Sequence, residues 1–301
     1  MTRQLGGILG PLTTPFDPET GDLSPVSFRS GLRAHLAGGL DGAVIAGSTG
    51  EAALLDDGER QALIEWARPL VPADKWLIAG VGSESTRLTI RRSADAAERG
   101  ADAVLVVSPH YYGAAMMTPE ALRAHFTRVA DESPAPVVLY NIPKYAHLTI
   151  DPSLVAELAR HENVIGIKDS SGDLDLLRWY LGSQSDSFSV LTGSGSGVLA
   201  ALEMGARGAI LAVALFALPL TLEVRDALAA GDRQRAAEAQ ERLVPLAREI
   251  VAGLGVAGVK AAIDAIGLPG GPVRSPLLPL PAEQRSRVHA LLRAAELEPV
   301  A

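Results

Sequence analysis

Eight short apolar runs, each followed by a longer segment with helical spacing, constrain the fold of this chain more than any other feature. The runs are residues 7–12, 42–46, 76–81, 103–108, 136–141, 164–168, 188–192 and 208–213. A short, continuous apolar run is typical of a strand that is buried on both faces. Strict alternation of strand and helix predicts right-handed crossovers and a parallel sheet.

The segments between these runs have the apolar spacing of helices that pack on a core. They are residues 24–37, 57–70, 85–99, 118–130, 151–160, 173–181, 195–204 and 217–229. Several begin at a Ser, Thr or Asp that suits the N-cap position. Eight such units predict a closed (β/α)8 TIM barrel, which typically takes about 250 residues. An open doubly wound sheet is the alternative, but no Gly-x-Gly-x-x-Gly follows the first strand.

The pattern after residue 230 is purely helical, over residues 233–251, 256–266 and 282–295. Because the barrel is complete by then, we expect residues 1–230 to form the catalytic barrel domain. Residues 231–301 are expected to form a C-terminal helical extension.

Composition argues against several classes of function. The chain has no cysteine, so it has no disulfide, thiolate metal site or cysteine nucleophile. A net charge of −8, without a cluster of Lys or Arg, argues against nucleic acid or an anionic membrane as a partner. The N-terminus lacks the apolar core of a signal peptide, and no apolar run reaches the roughly 18 residues of a membrane helix. We therefore expect a soluble, cytoplasmic protein.

The sixth apolar run delivers a single lysine to its C-terminal end. Lys168 follows the buried-strand pattern directly and precedes the small polar residues at 169–172. Burial of an amine disfavours its charged form, which leaves more of the free amine that attacks a ketone to form a Schiff base. Alternatively, Lys168 caps the strand end or pairs with Asp169 at the surface.

Polar side chains also follow three other runs, and the active site of a parallel barrel forms at these strand ends. Ser48 and Thr49 lie between glycines in a turn whose hydroxyls and amides can hold a carboxylate. Tyr140 ends the fifth run, and Tyr111 and Tyr112 follow the fourth. A tyrosine beside a lysine suits acid–base chemistry on a substrate oxygen. An ordinary polar turn and packing tyrosines are the alternatives.

Three motifs resemble those of the dihydrodipicolinate synthase / N-acetylneuraminate lyase family. They are Gly47-Ser48-Thr49-Gly50-Glu51, Tyr140-Asn141-Ile142-Pro143 and Gly166-Ile167-Lys168-Asp169. These proteins are pyruvate-handling class I aldolases on a (β/α)8 barrel with a helical extension. The resemblance runs from residue 10 to residue 277. It implies a lyase that forms a covalent lysine imine with its substrate and needs no cofactor or metal. It also implies a homodimer or a homotetramer.

The resemblance also implies roles for individual residues. Lys168 is the Schiff-base lysine, and Tyr140 is the phenol that moves protons. Ser48 and Thr49 hold the pyruvate carboxylate, and the Ser48 hydroxyl also belongs to the proton relay. Ile210 resembles the position whose backbone lies beside pyruvate.

Two further positions bear on assembly and on the second substrate. Tyr111, or alternatively Tyr112, aligns with the tyrosine that reaches into the neighbouring subunit's site. Dihydrodipicolinate synthases carry a carboxylate-binding arginine two residues after the proline of the Tyr-Asn-x-Pro motif, where this chain has Tyr145. Lys144 lies beside it but does not reproduce a bidentate guanidinium clamp. The acidic residues that N-acetylneuraminate lyases carry after the seventh strand are replaced here by Gly-Ser-Gly-Ser at 193–196.

The sequence thus predicts a class I aldolase that makes or breaks the C3–C4 bond of a keto acid. Its substrates are pyruvate and an aldehyde, or else a 2-keto-3-deoxy sugar acid or a related hydroxy-keto acid. Tyr145 is expected to contact the second substrate. The alternatives are a dihydrodipicolinate synthase, a dehydratase of deoxy-keto sugar acids and a barrel that binds keto acids without turnover. The histidines show no metal-binding spacing and are expected to be surface or packing residues, and Glu51 and Asp169 are expected to order loops.

Overall fold

Eight parallel strands pair in sequence order and close into a barrel in this computed structural model, which describes residues 3–297. The strands are β1 Gly7–Pro11, β2 Gly42–Ile45, β3 Trp76–Gly80, β4 Ala103–Val107, β5 Val137–Asn141, β6 Val164–Asp169, β7 Ser189–Thr192 and β8 Gly208–Ile210. β1 pairs with β8, with Gly7 opposite Gly208, and this pairing closes the barrel. The predicted (β/α)8 fold is confirmed.

Alternate residues of each strand pack in two different cores, because successive side chains point to opposite faces of a strand. The barrel interior holds Leu9, Val44, Ile78, Leu105, Val138 and Leu191. The layer between the barrel and the helices holds their neighbours Ile8, Ile45, Leu77, Val104, Leu139 and Val190. Both faces of the sheet are therefore buried, which explains why the runs are continuously apolar.

Helices follow the strands and cover the outside of the barrel. They are α1 Pro25–Ala37, α2 Asp57–Ala67, α3 Thr86–Glu98, α4 Pro119–Glu132, α5 Pro143–Ala146, α6 Pro152–Leu158, α7 Leu174–Leu181, α8 Val198–Glu203 and α9 Leu218–Ala229. Five N-cap side chains accept hydrogen bonds from first-turn amides: Asp56, Ser85, Thr118, Asp151 and Asp173. Across residues 3–297, no helix is long and apolar enough to cross a membrane.

The chain after α9 contains α10 Arg233–Pro245, a π-helix at Leu246–Leu254, α11 Gly255–Ala265 and α12 Ala282–Ala294. The sequence predicted helix over residues 233–251, and these residues are helical, but the helix changes from α to π after Pro245. Pro245 has no backbone N–H to donate within the helix, so the regular α-helical pattern ends there. π-Helical turns are rare and often lie at functional sites.

Three smaller differences from the sequence prediction also have local causes. α2 ends at Ala67 rather than at residue 70, because Pro69 does not continue an α-helix. β8 ends at Ile210, and Ala212–Leu215 form a 3₁₀ turn instead of strand. The unpredicted short helix α5 begins at Pro143, a residue favoured at the first helical position.

Candidate active site

A cavity of about 310 Å³ opens at the carboxyl ends of the strands. Side chains from the β2 loop, β5, β6 and β8 converge on it. Six residues that the sequence singled out line this cavity: Ser48, Thr49, Tyr140, Tyr145, Lys168 and Ile210. The barrel thus brings together residues that are up to 162 positions apart, from Ser48 to Ile210, in one concave site.

Lys168 reaches the cavity from β6 and is 5% exposed. The sheet register places it opposite Tyr140 of β5. Its Nζ atom lies 4.2 Å from the centre of the Tyr140 ring. Within residues 3–297, the one lysine that forms a salt bridge is Lys260, so Lys168 has no carboxylate partner. A buried amine without a counter-ion, next to a phenol, is the arrangement that imine chemistry requires.

Asp169 does not pair with Lys168, because adjacent residues of a strand point to opposite faces. Its Oδ1 accepts hydrogen bonds from Asn141 Nδ2 at 2.7 Å and from the Ser171 amide at 3.1 Å. Its Oδ2 accepts one from the Ser171 hydroxyl at 2.7 Å. Burial raises the pKa of Asp169. This carboxylate ties the ends of β5 and β6 together, as expected of a residue that orders a loop.

Gly193 directly follows β7 and lies next to the Lys168 side chain. A Cβ atom at this position would lie 1.9 Å from Ser170 Oγ and 3.0 Å from Lys168 Cε. Only glycine leaves room for the lysine side chain and the following turn at this distance. No role for this glycine was predicted beyond its place in the Gly-Ser-Gly-Ser segment, because a close approach between two strands is not visible in a linear pattern.

Ser48 and Thr49 lie in a 3₁₀ turn, Ser48–Gly50, at the end of β2. Both side chains are half-buried and line the cavity. The turn is closed by the Gly50 amide, which donates to the Gly47 carbonyl at 3.0 Å. Two hydroxyls are therefore held side by side and face the same space as Lys168.

A buried ion pair lies behind this turn. Lys260 Nζ is 2.6 Å from Glu51 Oε1, and it also donates to the carbonyl oxygens of Thr14 at 2.7 Å and Pro272 at 2.6 Å. Burial is the largest effect on Lys260 and lowers its pKa, while Glu51 raises it. Glu51 orders the turn, as the sequence predicted. Lys260 was missed, because a lone lysine in the apolar pattern of α11 carries no sequence signal for its partner.

Four serine side chains form another part of the cavity wall. They are Ser170 and Ser171 after β6, and Ser194 and Ser196 after β7. Ser194 Oγ lies 3.3 Å from Ser196 Oγ. From the sequence, Ser194 and Ser196 were a departure from the lyase pattern, and Ser170 and Ser171 were small polar residues after Lys168. The barrel places all four on the cavity wall.

Comparison with known proteins assigns the whole chain to a family. The model for the "Dihydrodipicolinate synthetase family" matches residues 4–295. The chain belongs to this family. It is 33% identical over 282 residues to a 4-hydroxy-tetrahydrodipicolinate synthase of Exiguobacterium sp., over 94% of this chain and 95% of that protein.

Solved structures of dihydrodipicolinate synthase family members have the same fold. Dihydrodipicolinate synthase DapA-2 from Bacillus anthracis is 30% identical with a TM-score of 0.91, over 96% of this chain and 97% of that one. YagE, a prophage protein of the family from E. coli K12, was solved in complex with pyruvate. It is 30% identical with a TM-score of 0.90, over 97% and 99% of the two chains. The chain is accordingly a carbon–carbon lyase of the class I aldolase type.

Both candidates for the tyrosine that the resemblance places at the neighbouring subunit's site lie outside the cavity wall of this chain. Tyr111 and Tyr112 are 77% and 69% exposed, and their rings pack edge to face with centres 5.2 Å apart. Their loop is held by Glu84 Oε2, which accepts hydrogen bonds from the amides of His110 and Tyr111, each at 2.8 Å. Tyr111 therefore does not line the cavity of its own chain.

Tyr145, the residue at the position where the resemblance implies an arginine in the synthases, lies in the cavity. Burial is the main cause that raises the pKa of its hydroxyl. Lys144 Nζ lies 5.4 Å from the Tyr145 ring centre and donates to the Ala252 carbonyl at 2.7 Å. This position therefore presents an aromatic ring and a hydroxyl to the substrate, with an ammonium group at its edge.

The histidines are packing or surface residues in the part of the chain that the structure describes. His35 and His125 are buried, and His161 Nε2 lies 3.0 Å from Asp131 Oδ1. His110 is outside the cavity wall, in the loop held by Glu84. Residues 3–297 contain no cluster of His, Asp and Glu that could hold a metal ion.

Proposed function

We propose that Lys168 forms an imine with the keto group of pyruvate or of a longer 2-keto acid. The observation that carries this proposal is its buried Nζ, 4.2 Å from the Tyr140 ring centre and without a carboxylate partner in residues 3–297. The amine attacks the keto carbon and water leaves. The resulting iminium accepts the electron pair that is released when C3 loses a proton or when the C3–C4 bond breaks. No separate cofactor is needed for either step.

Tyr140 moves protons during these steps. Its ring packs against Lys168, so its hydroxyl belongs to the space in which the substrate oxygens lie. Forming the imine requires a proton for the departing water, and cleaving the C3–C4 bond requires removal of the C4 hydroxyl proton. The phenol serves both, with Ser48 beside it in the same cavity.

The pyruvate carboxylate binds to the turn that carries Ser48 and Thr49. These hydroxyls lie on the cavity wall, and exposed amides of a tight turn favour an anion. Ile210, buried at the end of β8, provides backbone and an apolar contact beside the three-carbon part of the substrate.

The second part of the substrate is hydroxylated, so the enzyme cleaves a 2-keto-3-deoxy sugar acid or a related hydroxy-keto acid. Four serines line the wall, and Tyr145 adds a fifth hydroxyl in place of the synthase arginine. Hydroxyl groups on a chain substrate can exchange hydrogen bonds with such a wall.

The names of the relatives favour a second candidate, 4-hydroxy-tetrahydrodipicolinate synthase, which condenses pyruvate with aspartate semialdehyde. The two candidates are separated by assaying cleavage of 2-keto-3-deoxy acids beside condensation with aspartate semialdehyde on one preparation. We expect kcat/KM for cleavage to be higher by about tenfold or more, and Tyr145→Arg to shift the ratio toward condensation. Efficient condensation by the unmodified enzyme would establish the synthase instead.

The imine itself is tested by reduction with borohydride in the presence of pyruvate. The protein should gain the mass of reduced pyruvate on the peptide that contains Lys168. Lys168→Ala should abolish this trapping, whereas Lys75→Ala, far from the cavity, should trap as the unmodified protein does. Equal trapping by Lys168→Ala would contradict the assignment.

The active form is a homodimer or homotetramer. Tyr111, Tyr112 and Met116 are 77%, 69% and 64% exposed on one loop. Large apolar side chains that cluster on a surface mark interaction sites. In a symmetric pair, such a loop reaches the neighbouring molecule and is covered by its equivalent.

A further inference from the structure

The π-helix forms one side of the cavity. Ala247, Arg248, Val251 and Ala252 of this segment line the cavity. It packs against the turns that follow β7 and β8, at residues 195–197 and 212–215. Because Lys168 lines the same cavity, a 2-keto acid longer than pyruvate that is bound to Lys168 can reach this segment.

The cavity wall is strongly cationic, although the chain has a net charge of −8. Among residues 3–297, its lining includes Lys144, Lys168 and Arg248 and no Asp or Glu. A concave site lined by one sign of charge concentrates ligands of the opposite sign. Lys168 reacts with the keto group, so two cations remain for other parts of the substrate.

These two cations are positioned on the same edge of the cavity. Lys144 Nζ donates to the Ala252 carbonyl at 2.7 Å, so it lies against the segment that carries Arg248. One bond leaves two of the three ammonium donors for a ligand. Both residues are exposed to the cavity mouth, where an anion can reach them without displacing protein groups.

Arg248 is not neutralised by the protein. Within residues 3–297 it makes no salt bridge or side-chain hydrogen bond, and the adjacent Glu249 is held by Arg287 of α12 at 2.7 to 2.9 Å. A guanidinium group offers a planar set of donors that matches a carboxylate or a phosphate. Arg248 is exposed and lines the cavity, so its N–H donors are available to a ligand.

We propose that Arg248 and Lys144 bind a second acidic group at the end of the substrate distant from the keto carbon. This rests on the proposed function and narrows it, because the enzyme then cleaves a dianionic, hydroxylated 2-keto acid. Aspartate semialdehyde fits this wall less well. It has an ammonium group in addition to its carboxylate, and the lining residues among 3–297 include no carboxylate to pair with it.

The reaction consumes no reagent overall, because the water released when the imine forms equals the water that later hydrolyses it. Lys168 and the keto group form the iminium and release water. The C4 hydroxyl loses its proton as the C3–C4 bond breaks, and the electron pair passes to the iminium nitrogen. C3 then takes up a proton, and water hydrolyses the imine. The products are pyruvate and an aldehyde that carries the second acidic group, which leaves from Arg248 and Lys144.

The proposal is tested by imine trapping with two six-carbon keto acids that differ only in their far end. 2-Ketoadipate ends in a carboxylate and 2-ketohexanoate ends in a methyl group. We expect the concentration of 2-ketoadipate that half-saturates trapping to be at least about tenfold lower than that of 2-ketohexanoate. Arg248→Gln should remove this difference. Arg160→Gln is the matched control, because Arg160 precedes β6 at the opposite end of the barrel. It should preserve the difference.

Each outcome of the trapping experiment separates the proposals. Equal half-saturation by the two keto acids, or a difference that survives Arg248→Gln, would overturn the role of Arg248 while leaving the imine intact. Failure to trap even pyruvate would overturn the proposed function and this inference with it. Cleavage assays with six-carbon 2-keto-3-deoxy acids that end in carboxylate, phosphate ester or CH₂OH then identify the acidic group, and fastest cleavage of the CH₂OH form would also overturn the inference.

Discussion

Lys260 and Glu51 form a buried ion pair, with Nζ 2.6 Å from Oε1, that joins α11 to the turn at the end of β2. The two side chains belong to residues that are 1% and 3% exposed. The turn carries Ser48 and Thr49, and Glu51 also accepts a hydrogen bond from the Arg274 amide at 2.8 Å. The helical chain beyond the barrel therefore fixes the position of two residues that line the active site.

We expect Lys260→Met to destabilise the protein by about 3–5 kcal/mol, because it leaves the Glu51 carboxylate buried without a counter-ion. Glu51→Gln should also destabilise it. The double variant, with both substitutions, should lose less stability than the sum of the losses of the two single variants, because neither charge is then left unpaired. Urea denaturation measures all three. Additive losses would show that the two side chains do not interact energetically.

Tyr140→Phe tests proton transfer separately from binding. The ring keeps its contact with Lys168, so we expect kcat to fall by about 10²- to 10⁴-fold while pyruvate still traps as an imine to the same final extent, although more slowly. Tyr180→Phe is the matched control. Tyr180 is buried, its hydroxyl donates to the Ile150 carbonyl outside the cavity, and its loss should affect stability rather than rate. An unchanged kcat in Tyr140→Phe would remove this phenol from the mechanism.

Gly193→Ala tests the close approach behind the lysine. The added Cβ would lie 3.0 Å from Lys168 Cε and would collide with Ser170, so the amine must shift. A misplacement of about 1 Å at a reacting group can cost about 10²-fold in rate, and this contact requires a shift of a few tenths of an ångström, so we expect a smaller fall in kcat. Gly197→Ala is the control, because a Cβ there meets no atom closer than 3.9 Å. Equal activity of the two variants would show that the lysine has room to adjust.

The order and type of the strands were predictable from the sequence because each strand is buried on both faces and is therefore continuously apolar. Lys168 and Tyr140 were predictable for the same reason, since a polar residue at the end of such a run stands out. The register between β5 and β6, which places these two residues opposite each other, was not readable from the pattern.

Other parts of the site depend on contacts between distant segments. Arg248 lies in a stretch that reads as ordinary amphipathic helix, and its place in the cavity follows from the π-helix after Pro245. The partner of Lys260 is 209 positions earlier, so no local pattern connects it with Glu51. The need for glycine at Gly193 likewise follows from the packing of β6 against β7.

Stability should fall as the pH is lowered from about 6.5 to about 4. Burial lowers the pKa of His35 and of His125 to about 4, so the folded protein keeps both neutral while the unfolded chain takes up protons below its ordinary pKa of about 6.5. The unfolded state binds more protons in this window, which favours unfolding. At pH 4, each histidine should have lowered the free energy of unfolding by about 3 kcal/mol.

His35→Leu should remove one of these two contributions and flatten the fall in stability between those pH values. His147→Asn is the control, because His147 is exposed in a left-handed turn conformation that asparagine tolerates. Chemical denaturation at pH 7, 5.5 and 4 would measure the slopes. The same slope in His35→Leu and in the unmodified protein would contradict the assignment.

The last prediction concerns the exposed tyrosines. We expect light scattering to give a dimer or a tetramer of the 31.4 kDa chain, because the loop with Tyr111 and Tyr112 presents two large rings to solvent in a single chain. Tyr111→Phe should lower kcat while the oligomer persists, since only the hydroxyl is lost. Tyr112→Phe should leave kcat unchanged, and the reverse result would assign the role to Tyr112. A monomer with full activity would contradict a site shared between subunits, and both hydroxyls would then be surface groups without a part in the reaction.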